Sequence, residues 1–201
     1  MPSLRTTMAD LITQVRTLIG DAGATHVFDD QVIQDALDRV RIEQRWIALR
    51  PVQSFLPDGT MLFYDYYSDT PNWESDIKLQ DMSYNDITAN VDLSEDIVGH
   101  WHFPTQPNGI GVRATGKTYD VYGASADLLD SWAAQLKLDF DFKSGTDQYT
   151  RQQKYQMVTD LAKRYRALAR PQRGTLYQSD AALDHAGGGV VYPDVSGTYG
   201  N

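Results

Sequence analysis

The hydrophobic period of this chain changes twice, from about 3.6 residues to 2 near Pro51 and back again near Ala124, and few architectures accommodate that order. The opening run places Met8, Leu11, Ile12, Val15, Leu18 and Ile19 on one helical face, and Gly20 follows where a left-handed cap belongs. A second stripe, Val32, Ile33, Ala36, Leu37 and Val40, follows Phe28 and Asp29, a staple and an N-cap. This helix is expected to continue to about Leu49 and stop at Pro51, with Arg39, Arg41 and Arg45 on a wet, basic side.

From Pro51 onward the pattern turns to alternation and aromatic residues. Met61–Tyr67, Ile77–Gln80, Ile87–Leu93 and Ile97–Phe103 read as strands. Asn108-Gly109 signals a turn, and Ile110–Thr115 and Thr118–Tyr122 read as two more strands with Gly116 turning between them. The expectation for 51–122 is one compact antiparallel sheet or small barrel inserted between helices.

Helical spacing resumes at Ala124. Ser125 is the expected N-cap, and Leu128, Leu129, Trp132, Ala133, Leu136 and Phe140 form the apolar face. Thr150 and Gln153 match a capping box for a fourth helix, which turns Val158, Leu161, Ala162, Tyr165 and Leu168 inward and ends before Pro171. Lys154, Lys163, Arg164, Arg166 and Arg170 fall on its outer side, while Asp127 and Asp130 read as a solvated first turn of the third helix. Residues 171–201 contain six glycines and few large apolar groups, which predicts an extended tail. Leu176, Tyr177, Val190, Val191, Tyr192 and Tyr199 are its candidate anchors on another surface, against the plainer reading of a terminus with no role.

Composition removes several function classes. With no cysteine, thiol nucleophiles, thiolate zinc sites and disulfides are excluded. No stretch approaches the roughly 18 apolar residues that span a bilayer, and the first ten residues lack the apolar core of a signal peptide, so neither membrane insertion nor secretion is expected. The net charge of −9 is unlike that of a protein gripping nucleic acid. Residues 51–122 hold 11 acidic and 3 basic side chains, nearly the whole imbalance. Such acids serve solvation and guard sheet edges.

Gly111-Val112-Arg113-Ala114-Thr115-Gly116-Lys117-Thr118 satisfies the phosphate-binding P-loop pattern, with Gly111, Gly116, Lys117 and Thr118 as its key residues. The pattern works only if a helix begins at Lys117-Thr118, and the following Tyr119-Asp120-Val121-Tyr122 favours a strand. His100 and His102 flank Trp101 on one face of a strand, a spacing compatible with metal, but a third ligand is not evident. The expectation is no metal, no cofactor and no catalytic constellation. Tyr64, Tyr66, Tyr67, Trp73 and Trp101 suggest, as an alternative, a β module that binds carbohydrate or protein.

The run Leu11-Ile12-Thr13-Gln14-Val15-Arg16-Thr17-Leu18-Ile19-Gly20-Asp21, followed by Phe28-Asp29-Asp30-Gln31-Val32-Ile33-Gln34-Asp35-Ala36-Leu37-Asp38, resembles the opening of tailed-bacteriophage head-to-tail connector (adaptor, head completion) subunits. Ala124–Phe142 and Gln152–Arg170, ending in Arg164-Tyr165-Arg166-Ala167-Leu168-Ala169-Arg170, are similar to the last two helices of that family. The periods read above give an α+β chain. A four-helix adaptor-like domain (1–50 and 123–170) carries the acidic β insertion (51–122) between helices 2 and 3, and an extended tail (171–201) follows; the insertion departs from the smallest, all-helical members of the family. The resemblance implies a non-enzymatic virion protein, made in the host cytoplasm, that forms a ring, often twelvefold, under the portal at the capsid vertex, where an acidic insertion facing the lumen would repel passing DNA. The ring would extend the DNA channel without specific binding and meet the tail or a tail-completion protein. The implied interface residues are the basic side of the fourth helix and the tail anchors named above.

Overall fold

The computed structural model describes residues 3–105, 107, 111–140 and 148–170. The Asn108-Gly109 turn and the tail 171–201, with Leu176, Tyr177, Val190, Val191, Tyr192 and Tyr199, lie outside them. The elements run α1 (Ala9–Ile19), α2 (Asp30–Arg39), β1 (Arg41–Ala48), β2 (Arg50–Phe55), β3 (Met61–Tyr67), β4 (Lys78–Gln80), β5 (Leu93–Glu95), β6 (His100–His102), β7 (Arg113–Tyr119), α3 (Val121–Phe140) and α4 (Gln148–Leu168).

The four helices share one core. Met8, Leu11, Ile12, Val15 and Ile19 pack with Ile33, Ala36 and Leu37 of α2, Leu128 and Leu129 of α3, and Val158 and Ala162 of α4. Each large side chain fully buried there contributes roughly 1.5–3 kcal/mol. Gly20 ends α1 in the left-handed conformation (φ 74°), as its position after the stripe requires. The α1–α2 loop is then held by charge. The buried Arg16 guanidinium donates to Asp21 (2.8 Å), Asp30 (2.5 Å) and the Phe28 carbonyl (2.9 Å), and Asp21 accepts the backbone N–H of Val27 at 2.7 Å. Asp29 occupies the N-cap position of α2, but its backbone carbonyl rather than its side chain receives the first helical bonds.

The expected continuation of helix 2 to Leu49 is overturned. α2 ends at Arg39, and residues 41–48 form a strand antiparallel to β7, running from Arg41 opposite Tyr119 to Ala48 opposite Arg113. Ile42 and Ile47 are β-branched, and the ladder that β7 offers outweighs a helical preference worth only tenths of a kcal/mol per residue. Arg41 and Arg45 therefore sit on an exposed strand beside Glu43 rather than on a helix.

The expected fold class is overturned as well. The β region is not one sheet or barrel confined to 51–122. It comprises two antiparallel sheets, β1-β7-β4 and β2-β3-β6-β5, and the described strands form no closed barrel. Leu49 alone separates β1 in one sheet from β2 in the other. A second core lies under the sheets, built from Phe63, Tyr66, Trp73, Ile77, Leu79, Trp101, Phe103, Val112 and Ala114. Most of Ile87–Leu93, expected as a strand, is a loop with a 3-10 turn at Thr88–Asn90, and only Leu93 joins a strand, as the first residue of β5.

Two cap assignments also change. α3 starts at Val121, and Asp120, not Ser125, caps it by accepting the Gly123 N–H at 3.0 Å. Ser125 is fully buried one turn inside the helix. α4 starts at Gln148, so Thr150 lies within the helix rather than at its cap. Leu168, expected inward, is exposed.

Candidate functional site

β7 decides the nucleotide question. Arg113–Tyr119 is one continuous strand, so no helix begins at Lys117, and the P-loop reading of Gly111, Gly116, Lys117 and Thr118 fails on the condition it required. Gly116 lies opposite Gln44 in mid-strand and makes no turn. A Cβ there would meet Ile77 and Trp73 at 3.4–3.5 Å, so this glycine sits close against the core. Lys117 binds Asp76 (2.7 Å) and Glu74 (3.3 Å).

Glu74 organises the most buried charge cluster. Its carboxylate, fully buried, accepts from Thr7 Oγ1 (2.6 Å) and Tyr119 Oη (2.6 Å) and lies 3.0 Å from Arg5 Nε. Arg5 also donates to Asp38 at 2.6 Å. Burial alone would raise the Glu74 pKa; the two hydroxyl bonds and the charges of Arg5 and Lys117 outweigh it and hold the group below its ordinary value. The same burial, with the adjacent carboxylate, pushes Tyr119 well above the usual phenol range. This cluster ties residues 5–7, the turn before β4 and β7 together. Its atoms are committed to one another, which is the arrangement of a clasp.

His100 and His102 form a second cluster. His100 Nε2 and His102 Nδ1 both lie 2.9 Å from Asp65 Oδ1, and His100 Nδ1 lies 3.0 Å from Glu95 Oε2. The His100 ring stacks on Tyr67 with centroids 4.3 Å apart. Burial would lower the His100 pKa, but the bonds to Asp65 and Glu95 and their charges prevail and raise it. Asp65 is correspondingly held low, by its bond to His100 first. The sequence spacing had placed the histidines on one face; Asp65 and Glu95, from β3 and β5, were invisible to it. Among the described residues no group of three or more His, Asp or Glu side chains is arranged to hold a metal.

A third arrangement went unnoticed in the sequence. Trp46 and Tyr84 stand on the surface, 46% and 59% exposed, with ring centroids 5.0 Å apart in an edge-on contact. The Arg113 guanidinium lies 5.8 Å over the Tyr84 ring. Both aromatic residues have positive φ, 58° and 66°, a conformation costing about 1–3 kcal/mol for such side chains. Each is held there. The Trp46 N–H donates to Thr115 Oγ1 at 3.2 Å, where β1 bulges against β7, and Gln80 Nε2 donates to the Tyr84 carbonyl at 3.3 Å. The Tyr84 turn is further fixed by Asp81, whose carboxylate accepts Ser83 N–H (2.8 Å) and Asn85 N–H (2.9 Å). Two strained, exposed rings beside an arginine match the composition of interface hot spots.

The rings named for a binding module do not form such a surface. Tyr66, Trp73 and Trp101 are core residues, and Tyr64 and Tyr67 are half-buried. On α4, Arg166 pairs with Asp127 (3.2 Å) and Asp130, so these acids brace α3 against α4 rather than forming a solvated first turn. Lys154 lies over the Trp132 ring at 5.0 Å, Lys163 pairs with Asp160 at 3.5 Å, and the Arg170 N–H donates to Asp120. Arg164 has no partner among the described residues and sits with Met157 and Leu168 on an exposed flank. No helix among the described residues is long and apolar enough to cross a membrane. Comparison with family models, curated proteins and solved structures finds no match to this chain.

Proposed function

We propose that this chain is a structural subunit of a head-to-tail connector ring, docked on a portal at the capsid vertex and meeting the tail or its completion protein on the other side. The observation that carries the proposal is the joining of the two sequence runs that resemble connector subunits. Residues 8–40 and 121–162 supply one shared helical core, although more than 70 residues of β structure intervene. The flank of α4 with Met157, Arg164 and Leu168 is left outward, available for a neighbour. The ring extends the DNA channel without gripping phosphates, in keeping with the acidic middle segment. Its role is assembly rather than catalysis, and its place is the capsid–tail junction of a virion.

Electron microscopy of the purified full-length chain, alone and mixed with purified portal rings, tests this reading. Rotationally symmetric rings of about twelve subunits, free or stacked on the portal, are the expected result. Particles that remain monomeric and never decorate the portal overturn it.

A further inference from the structure

We propose that the Trp46–Tyr84–Arg113 patch is the receiving half of a contact with a second copy of this chain, and that the β5 edge of that copy is the inserted half. This names the partner surfaces of the ring subunit proposed above and rests on that reading.

β5 is the outer strand of the four-stranded sheet, and all three of its residues are exposed. Leu93 on β5 and Val98 just beyond it are 47% and 57% exposed, set among Asp92, Glu95 and Asp96. Among the described residues no lysine or arginine pairs with any of these three acids; their partners are His100, His102, Ser94 and Trp101. The edge therefore offers aliphatic side chains among carboxylates, of which Glu95 is bonded to His100 and Asp92 and Asp96 meet no lysine or arginine among the described residues. The patch offers the complement. Arg113 has no carboxylate partner among the described residues, and the rings of Trp46 and Tyr84 present apolar faces; Arg45, next to Trp46 in the chain, is paired with Glu43. An open acidic strand edge and an aromatic platform bearing Arg113 match in charge and in apolar content.

The two halves lie on different sheets. A chain carrying both halves of one contact at separate places joins its copies head to tail, and such contacts close into rings when the rotation closes. The positive φ of Trp46 and Tyr84 fits this role. Hydrogen bonds fix the backbones of both residues in a conformation that neither favours, so little backbone ordering remains when a neighbour arrives.

Sedimentation velocity of the full-length protein over a range of concentrations, with Arg113→Glu and Asp92→Arg each alone, tests the contact. Either substitution is expected to weaken self-association at least tenfold. An equimolar mixture of the two variants is expected to regain association, since one of its contacts is intact and in the other both charges are reversed and again opposite. Leu93→Ser and Tyr84→Asn provide charge-neutral checks at exposed positions, with circular dichroism confirming that the variants fold. If wild-type rings persist unchanged in all four folded variants, this contact is wrong while the ring reading stands. A wild-type chain that stays monomeric at every concentration, alone and with portal rings, overturns both.

Discussion

One carboxylate, Asp120, closes both ends of the second helical hairpin: Oδ1 accepts the Gly123 N–H at 3.0 Å and Oδ2 accepts the Arg170 N–H at 2.8 Å. The first bond satisfies an open donor at the start of α3, and the second ties down the chain just after α4. Asp120→Ala is expected to cost about 1–2 kcal/mol in urea unfolding and to speed amide exchange near residue 170. Gly123→Ala is expected to destabilise too, against the usual gain of alanine in a helix, because its Cβ would fall 2.9 Å from Asp120 Oδ2.

Glu74→Ala leaves Arg5 and Lys117 without their shared buried partner and removes the acceptor of Tyr119 and Thr7. The expected loss is about 3–5 kcal/mol in chemical unfolding. Because the folded pKa of Glu74 lies below its unfolded value, its contribution is present above the ordinary carboxylate pKa of about 4.3 and is lost as pH falls through the folded value. Acid unfolding monitored by Tyr and Trp fluorescence is expected to shift to higher pH when Lys117→Met weakens the cluster.

His100 carries the opposite sign. Its folded pKa is raised, so its contribution is complete below the unfolded value of about 6.5 and disappears as pH rises through the folded value. Melting temperature is expected to decline over that alkaline window, and His100→Gln is expected to flatten the decline. A wild-type profile that is flat above neutrality would remove the role assigned to the Asp65–His100–Glu95 cluster.

Gly116→Ala separates a strand glycine from a phosphate-loop glycine. The added methyl would meet Ile77 and Trp73 at 3.4–3.5 Å, an ordinary contact, and Gly116 has no positive φ. Stability is expected to be unchanged or raised by about 0.5–1 kcal/mol. Addition of magnesium and ATP is expected to leave the melting temperature of wild type and variant alike unmoved.

The helical stripes were legible because burial at a fixed spacing leaves a periodic trace: Leu11, Val15 and Ile19, and again Leu129, Ala133 and Ala162, are where the pattern places them. The trace fails where a distant partner decides. Residues 41–48 became a strand because β7, some 70 positions later, offers a ladder, and nothing local to Arg41–Ala48 announces it. Ser125 lost the cap to Asp120 because the helix starts earlier, at Val121. The Trp46–Tyr84 pair was unreadable for a different reason. Positive φ at a tryptophan or tyrosine leaves no sequence signal, and their contact depends on a bulge and a turn 38 positions apart.

Arg41 stands opposite Tyr119, so the chain leaves the helical part and returns to it at neighbouring points. Residues 49–112 are therefore a closed excursion on the β1–β7 stem. Because closure entropy grows only slowly with loop length, such a stem tolerates excursions of very different size with little change in the helices beneath it. The stem is a graft point with one tether: loops beyond Glu74 can change length and refashion the exposed surface, whereas Glu74 itself, bound to Arg5 and Thr7, keeps the excursion fastened to the start of the chain.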